Sequence, residues 1–171
     1  MEKKAQIWIE TVIYTLIGLT IIGILLGVAK PKIQEMQDKS IIEQSINAMQ
    51  ELDLKISSVQ GTPGKRTSIK QLKISKGELK INSAEDKITW EIESSRQYSE
   101  LNIPIKIGSL NITTLSGNPW KIKIEAPYSY NITFEEKEQL KTFQPAPSPY
   151  VLFFENKGTI SSKTNIDIFS G

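Results

Sequence analysis

The sequence predicts an α+β chain: a long N-terminal helix, apolar in its first half and amphipathic in its second, followed by an antiparallel β-sandwich-like domain. Three observations predict it. Residues 7–29 are apolar apart from one charge, Glu10. Residues 32–57 place apolar side chains at helical spacing. Residues 60–171 break into short alternating runs separated by turn residues. A chain of 171 residues allows one domain of ordinary size beside such a helix.

The apolar segment comes first. At about 1.5 Å per residue a helix over 7–29 spans roughly 34 Å, enough for a hydrocarbon core of about 30 Å. Lys3 and Lys4 precede it and Lys30 and Lys32 follow it, so the positive-inside rule is nearly balanced. A cleaved secretory signal peptide would need a shorter apolar region and a small-x-small site. Here the stretch is longer, and Lys30-Pro31-Lys32 follows it. An uncleaved signal anchor stays open. A buried helix of a soluble protein is disfavoured, because no other part of the chain could cover an apolar helix on all sides.

Glu10 is the unusual residue. A carboxylate at the centre of a bilayer costs on the order of 2.5–3.5 kcal/mol, and less near an end. It lies about one turn from the start of the segment. Either it snorkels to the interface, or it awaits a partner such as an amine freed by cleavage just upstream. Gly23 and Gly27 form a GxxxG spacing, which permits close helix approach. Pro31 removes one backbone hydrogen bond and is expected to kink or locally melt the helix.

From Lys32 to about Ser57 the pattern is amphipathic. Ile33 and Met36 begin it, and Ile42, Ile46, Met49, Leu52 and Ile56 continue along one face. This predicts a surface helix packed on the β-domain, with a coiled-coil homodimer as the alternative. Residues 60–64 (Gln-Gly-Thr-Pro-Gly) end the helix.

Strands are expected at 67–75, 78–82 and 87–93 as a three-stranded meander, with Lys76-Gly77 as a hairpin turn and residues 83–86 as the next turn. Further strands are expected at 103–107, 109–114, 120–125, 129–135, 150–155 and 165–169, giving a sandwich of seven to nine strands. Gly117-Asn118-Pro119 and Asn156-Lys157-Gly158 are turn chemistry. The boundaries are 1–5, 6–30, 31–59 and 60–171.

Composition excludes several kinds of chemistry. With no His and no Cys, there are no Cys/His metal sites, cysteine nucleophiles, His-dependent triads or disulfides. The net charge of +2 resides in residues 1–32, and the remainder is neutral with only Arg66 and Arg96 as arginines. No basic stripe for nucleic acid follows from this. There is no phosphate loop, HExxH or nucleophile elbow. Glu91 and Glu93 are expected to face solvent or cross-strand lysines. Glu135, Glu136 and Glu138 read as a solvated run, with a weak cation site as the alternative. Tyr128, Tyr130, Tyr150 and Trp120 are expected to pack in the core rather than form a ligand platform. Neither an enzyme nor a cofactor is expected.

Asn111-Ile112-Thr113 and Asn131-Ile132-Thr133 are glycosylation sequons, making Asn111 and Asn131 candidate acceptors.

Lys3-Lys4-Ala5-Gln6-Ile7-Trp8-Ile9-Glu10, followed by an apolar helix, resembles the class III signal peptide of type IV pilin-like proteins. The resemblance implies a prepilin peptidase cut between Ala5 and Gln6, with Glu10 as the fifth mature residue. Gln in the first mature position is more similar to archaeal pilins than to bacterial ones. Ala5 stands where Gly is commoner. The resemblance covers residues 1–30 closely and the following helix loosely, and the β-rich remainder carries no signature of the family. It implies a pilin-like fold, membrane insertion before assembly, and homopolymerisation through the apolar helix. The amine of Gln6 would pair with Glu10 of a neighbouring subunit, and Gly23 and Gly27 would assist packing. It further implies an adhesive, glycosylated surface filament. Two other functions stay open: an anchored β-domain acting as a binding module, and a minor pilin or secretion pseudopilin.

Overall fold

The structure, a computed structural model, describes residues 2–160 and 162–171, with residues 2–7 described by their backbone alone. The chain divides into two units, Met1–Gln37 and Asp38–Gly171. One helix, α1 (Glu2–Gln60), runs through both. It continues through Pro31 instead of melting there. Proline deletes a single N–H donor, and the bonds on either side suffice to carry the helix on.

In the first unit the side chains of α1 are exposed nearly all round, from Trp8 to Gln37. Ile33 and Met36, expected to open the buried stripe, are 54% and 72% exposed. The stripe begins instead at Ile42. In the second unit Ile42, Ile46, Met49, Leu52 and Ile56 are buried as the spacing predicts, and Val59 joins them.

Among the described residues ten strands follow: β1 (Arg66–Leu72), β2 (Glu78–Asn82), β3 (Lys87–Ser94), β4 (Ile105–Ile107), β5 (Leu110–Leu115), β6 (Trp120–Pro127), β7 (Asn131–Phe134), β8 (Leu140–Phe143), β9 (Tyr150–Ile160) and β10 (Lys163–Ser170). They form a four-stranded sheet in the order β1-β9-β10-β7 and a six-stranded sheet in the order β4-β5-β6-β3-β2-β8. The strands pair antiparallel except β7 and β10, which are parallel. The buried face of α1 and the inner faces of both sheets share one hydrophobic core, with Trp90, Phe134 and Phe154 as its largest members. The chain is thus a long N-terminal helix followed by antiparallel-rich sheets.

The expected meander is corrected. β2 and β3 do form a hairpin, joined through a short 3-10 helix (Ser83–Glu85) and a left-handed Asp86. β1, however, pairs with β9 in the other sheet. Residues 73–77 are therefore a crossover between sheets and not a hairpin turn. Gly77 is required there: its φ is +82°, and a Cβ would lie 2.1 Å from the carbonyl oxygen of Glu91. The preceding carbonyl, of Lys76, accepts a 3.1 Å hydrogen bond from the Trp90 indole. Alternation in 67–75 fixes which side chains face inward but says nothing of the neighbouring strand.

Two further differences have physical causes. β8 was not expected, because only Phe143 of its four residues is buried and Leu140 is 61% exposed, which leaves no alternation to detect. Asn156-Lys157-Gly158, expected as a turn, lies inside β9 as a bulge. Asn156 pairs with Ile166 and Gly158 with Asn165, which leaves Lys157 as the extra residue. Gly158 has φ +91°, and the same conformational freedom serves turns and bulges.

Candidate functional site

The first unit holds the residues singled out for assembly. By length and composition α1 contains a stretch able to cross a membrane, and none of that stretch is buried within the chain. Two threonines sit in it with their hydroxyls satisfied by the helix itself. Thr15 Oγ1 donates to the Thr11 carbonyl at 2.8 Å and Thr20 Oγ1 to the Leu16 carbonyl at 2.7 Å. This keeps polar groups off the apolar surface.

Glu10 is exposed on the same helix. A Cβ built on Gly23 or Gly27 would meet no atom within 4 Å, so both present open backbone, one turn apart on one side of the helix. The side chains of Ala5 and Gln6, the expected processing site, lie outside the described residues.

The second unit holds the sequons. Asn111 is half-buried on β5, in register with Lys106 and Glu125. Asn131 is half-buried on β7, and its Nδ2 donates to Asn165 Oδ1 at 3.2 Å. The hydroxyl of Thr133 in the same sequon donates to Asp167 Oδ1 at 2.7 Å. The two acceptors stand on different sheets.

The remaining expected residues separate in the same way. Glu91 accepts from Lys80 Nζ at 2.7 Å, the cross-strand pairing expected of it, while Glu93 is exposed opposite Lys121. Burial disfavours the charged form of Lys80, but the Glu91 hydrogen bond outweighs this and raises the Lys80 pKa. The Tyr128 and Tyr130 rings lie 5.2 Å apart, tilted at 35°, with Tyr130 in the core. Tyr150 packs instead on Phe143, at 5.1 Å, and Trp120 joins neither pair among the described residues.

Three polar residues that sequence reasoning missed hold the second unit together. Asp38 is buried and accepts from Lys76 Nζ at 2.7 Å and from the Ser95 amide and hydroxyl at 2.7 Å each. Asn156 Nδ2 donates to the Val59 and Gln60 carbonyls at 2.9 and 2.8 Å, satisfying the end of α1. Asp167 is buried beneath the turn at residues 135–136. Nothing in the local pattern marks them, since each is an ordinary polar residue among others.

Among the described residues no group of three or more acidic side chains is placed to hold a metal ion. Compared with protein-family models, curated proteins and solved structures, the chain matches none.

Proposed function

We propose that the chain is a structural subunit of a type IV pilus-like surface filament. A prepilin peptidase cuts after Ala5, and the mature chain polymerises through its apolar helix. Glu10 pairs with the new amine at Gln6 of a neighbour, and Gly23 and Gly27 allow close approach between helices. Before assembly the helix lies in the membrane; afterwards the β-domain faces outward. One observation carries this reading. An apolar helix with no buried residue in its most apolar stretch needs lipid or other copies of itself around it. The leader, the position of Glu10 and the two glycines favour copies. No nucleic acid, cofactor or catalytic step enters it.

Mass spectrometry of the native protein tests the processing step. A mature N-terminus at Gln6 is expected, and an intact leader rules processing out. Glu10→Gln should lower filament yield several-fold with membrane insertion unchanged. Fractionation separates this reading from a permanently anchored binding module. A pilin is shed in sedimentable fibres, and an anchor stays with the membrane.

A further inference from the structure

On the four-stranded sheet, Leu152, Phe154, Ile166 and Ile168 point into the core, and Phe153, Glu155, Asp167 and Phe169 point the other way. Strand alternation predicts that such outward polar residues are solvated. Yet Asp167 is only 2% exposed and Glu155 only 8%. They form the floor of an open hollow of about 340 Å³ lined also by Arg66, Glu135, Glu136, Lys157 and Phe169. That volume lies at the lower end of the range of about 300–1,000 Å³ typical of small-molecule sites.

The polar groups form a connected chain. Arg66 Nη2 meets Glu155 Oε1 at 2.9 Å, Glu155 Oε2 meets Lys157 Nζ at 3.0 Å, and Lys157 Nζ meets Glu136 Oε1 at 2.8 Å. The Glu136 amide extends it to Asp167 by donating to Oδ1 at 2.7 Å. Asp167 Oδ1 also takes the Thr133 hydroxyl, while Oδ2 meets no donor among the described residues. Arg66 and Lys157 hold the Glu155 carboxyl below its ordinary range, and Glu136 and Glu155 raise the Lys157 ammonium. Both therefore stay charged at neutral pH. The wall is apolar: Phe169 stacks on Phe153 with centroids 5.3 Å apart and planes 13° from parallel.

These features select a ligand class. The two cations interleaved with the carboxylates, and the lack of a metal-holding geometry, disfavour a metal ion. The carboxylates outnumber the cations in the lining, which disfavours an anion. A neutral ring with hydroxyls on its edge and C–H groups on its face suits both halves of the site. Its hydroxyls donate to Asp167 Oδ2 and accept from Lys157 and Arg66, while its face lies on the aromatic wall.

We propose that this hollow binds one pyranose sugar ring, free or as a unit of a glycan. The site lies within the β-domain and stands whether or not the helix polymerises.

The test is amide-shift titration by NMR of the full chain in lauryldimethylamine oxide micelles, whose headgroup carries no sugar. The probes are glucose, galactose and N-acetylglucosamine, and the linear trisaccharide of each. Saturable shifts centred on Glu136, Lys157 and Phe169 are expected with at least one probe. Binding by a monosaccharide indicates that a single ring suffices; binding by a trisaccharide alone indicates a glycan chain as the ligand. Lys157→Gln, at the solvent-facing rim, should weaken binding roughly tenfold with the remaining spectrum unchanged. Phe169→Leu should weaken it too, with the dispersion of the core resonances reporting retained folding. Absence of saturable shifts with all six sugars, or equal affinity in Lys157→Gln, overturns the proposal.

Discussion

The Asp38 carboxylate and the Lys76 ammonium lie 2.7 Å apart, joining the helix to the crossover between the two sheets. The other carboxylate oxygen holds the Ser95 amide and hydroxyl. A residue of α1 thus ties down two separate segments of the β-domain. Burial alone would push the Asp38 carboxyl up, but the hydrogen bonds from Lys76 and Ser95 outweigh it and hold the pKa below its ordinary value.

The sign of the pH effect follows. A carboxyl with a lowered folded pKa contributes stability that is fully present above the unfolded value of about 3.9, and lost as pH falls through the folded value. Asp38→Asn should therefore cost about 2–3 kcal/mol at neutral pH, since Lys76 and Ser95 lose a charged acceptor. It should also flatten the loss of stability below about pH 4. Urea unfolding of the detergent-solubilised chain across that range measures both. An unchanged acid limb would remove the role given to Asp38.

Asn156→Ala should destabilise the domain by about 1–2 kcal/mol, because the Val59 and Gln60 carbonyls lose their donor. Asn156→Asp should be worse, since it sets a carboxylate against two carbonyl oxygens. Thermal unfolding of the three proteins gives the order.

Along α1, core and exposed positions should respond differently. Ile56→Ala, at a fully buried site, should cost about 2–5 kcal/mol. Met36→Ala should change the unfolding free energy by less than about 0.5 kcal/mol. Equal effects would mean that Met36 is packed in the folded chain.

Gly77→Ala combines a left-handed backbone with a clash against the Glu91 carbonyl. It should cost more than Gly64→Ala, where φ is +78° but no atom lies within 4 Å of the new Cβ. About 1–2 kcal/mol is expected at Gly64 from strain alone, and a larger loss at Gly77. Paired unfolding curves test the order.

Burial pushes the Tyr130 phenol up to about 12, with the Ser57 hydrogen bond acting against it and Asp53 adding to the rise. The folded state thus keeps a proton that the unfolded chain releases near pH 10. Stability should fall as pH rises between about 10 and 12, and Tyr130→Phe should remove that part of the fall. A base titration of the unfolding midpoint reads it directly.

The helix and its two halves were legible because their signal is local. Ile42, Ile46, Met49, Leu52 and Ile56 lie on one face by spacing alone, and they are the residues buried. Gly and Pro at 61–64 likewise marked the end of α1, and most strands were found within a few residues of their ends. Candidate residues were legible unevenly. Glu10, Gly23 and Gly27, the proposed assembly residues, stand out against an apolar background, whereas Asp38, Asn156 and Asp167 lie among polar neighbours and gain their character from distant partners.

Periodicity is written in neighbouring residues, so it already places an apolar helix before a β-rich domain and marks the inward face over residues 42–56 and along most strands. Long-range folding settles that β1 joins β9 rather than β2, that β7 runs parallel to β10, and that outward-pointing Asp167 and Glu155 end up buried. Strand pairing and the cover over a side chain join residues far apart in sequence, and alternation carries no record of which distant strand completes the sheet.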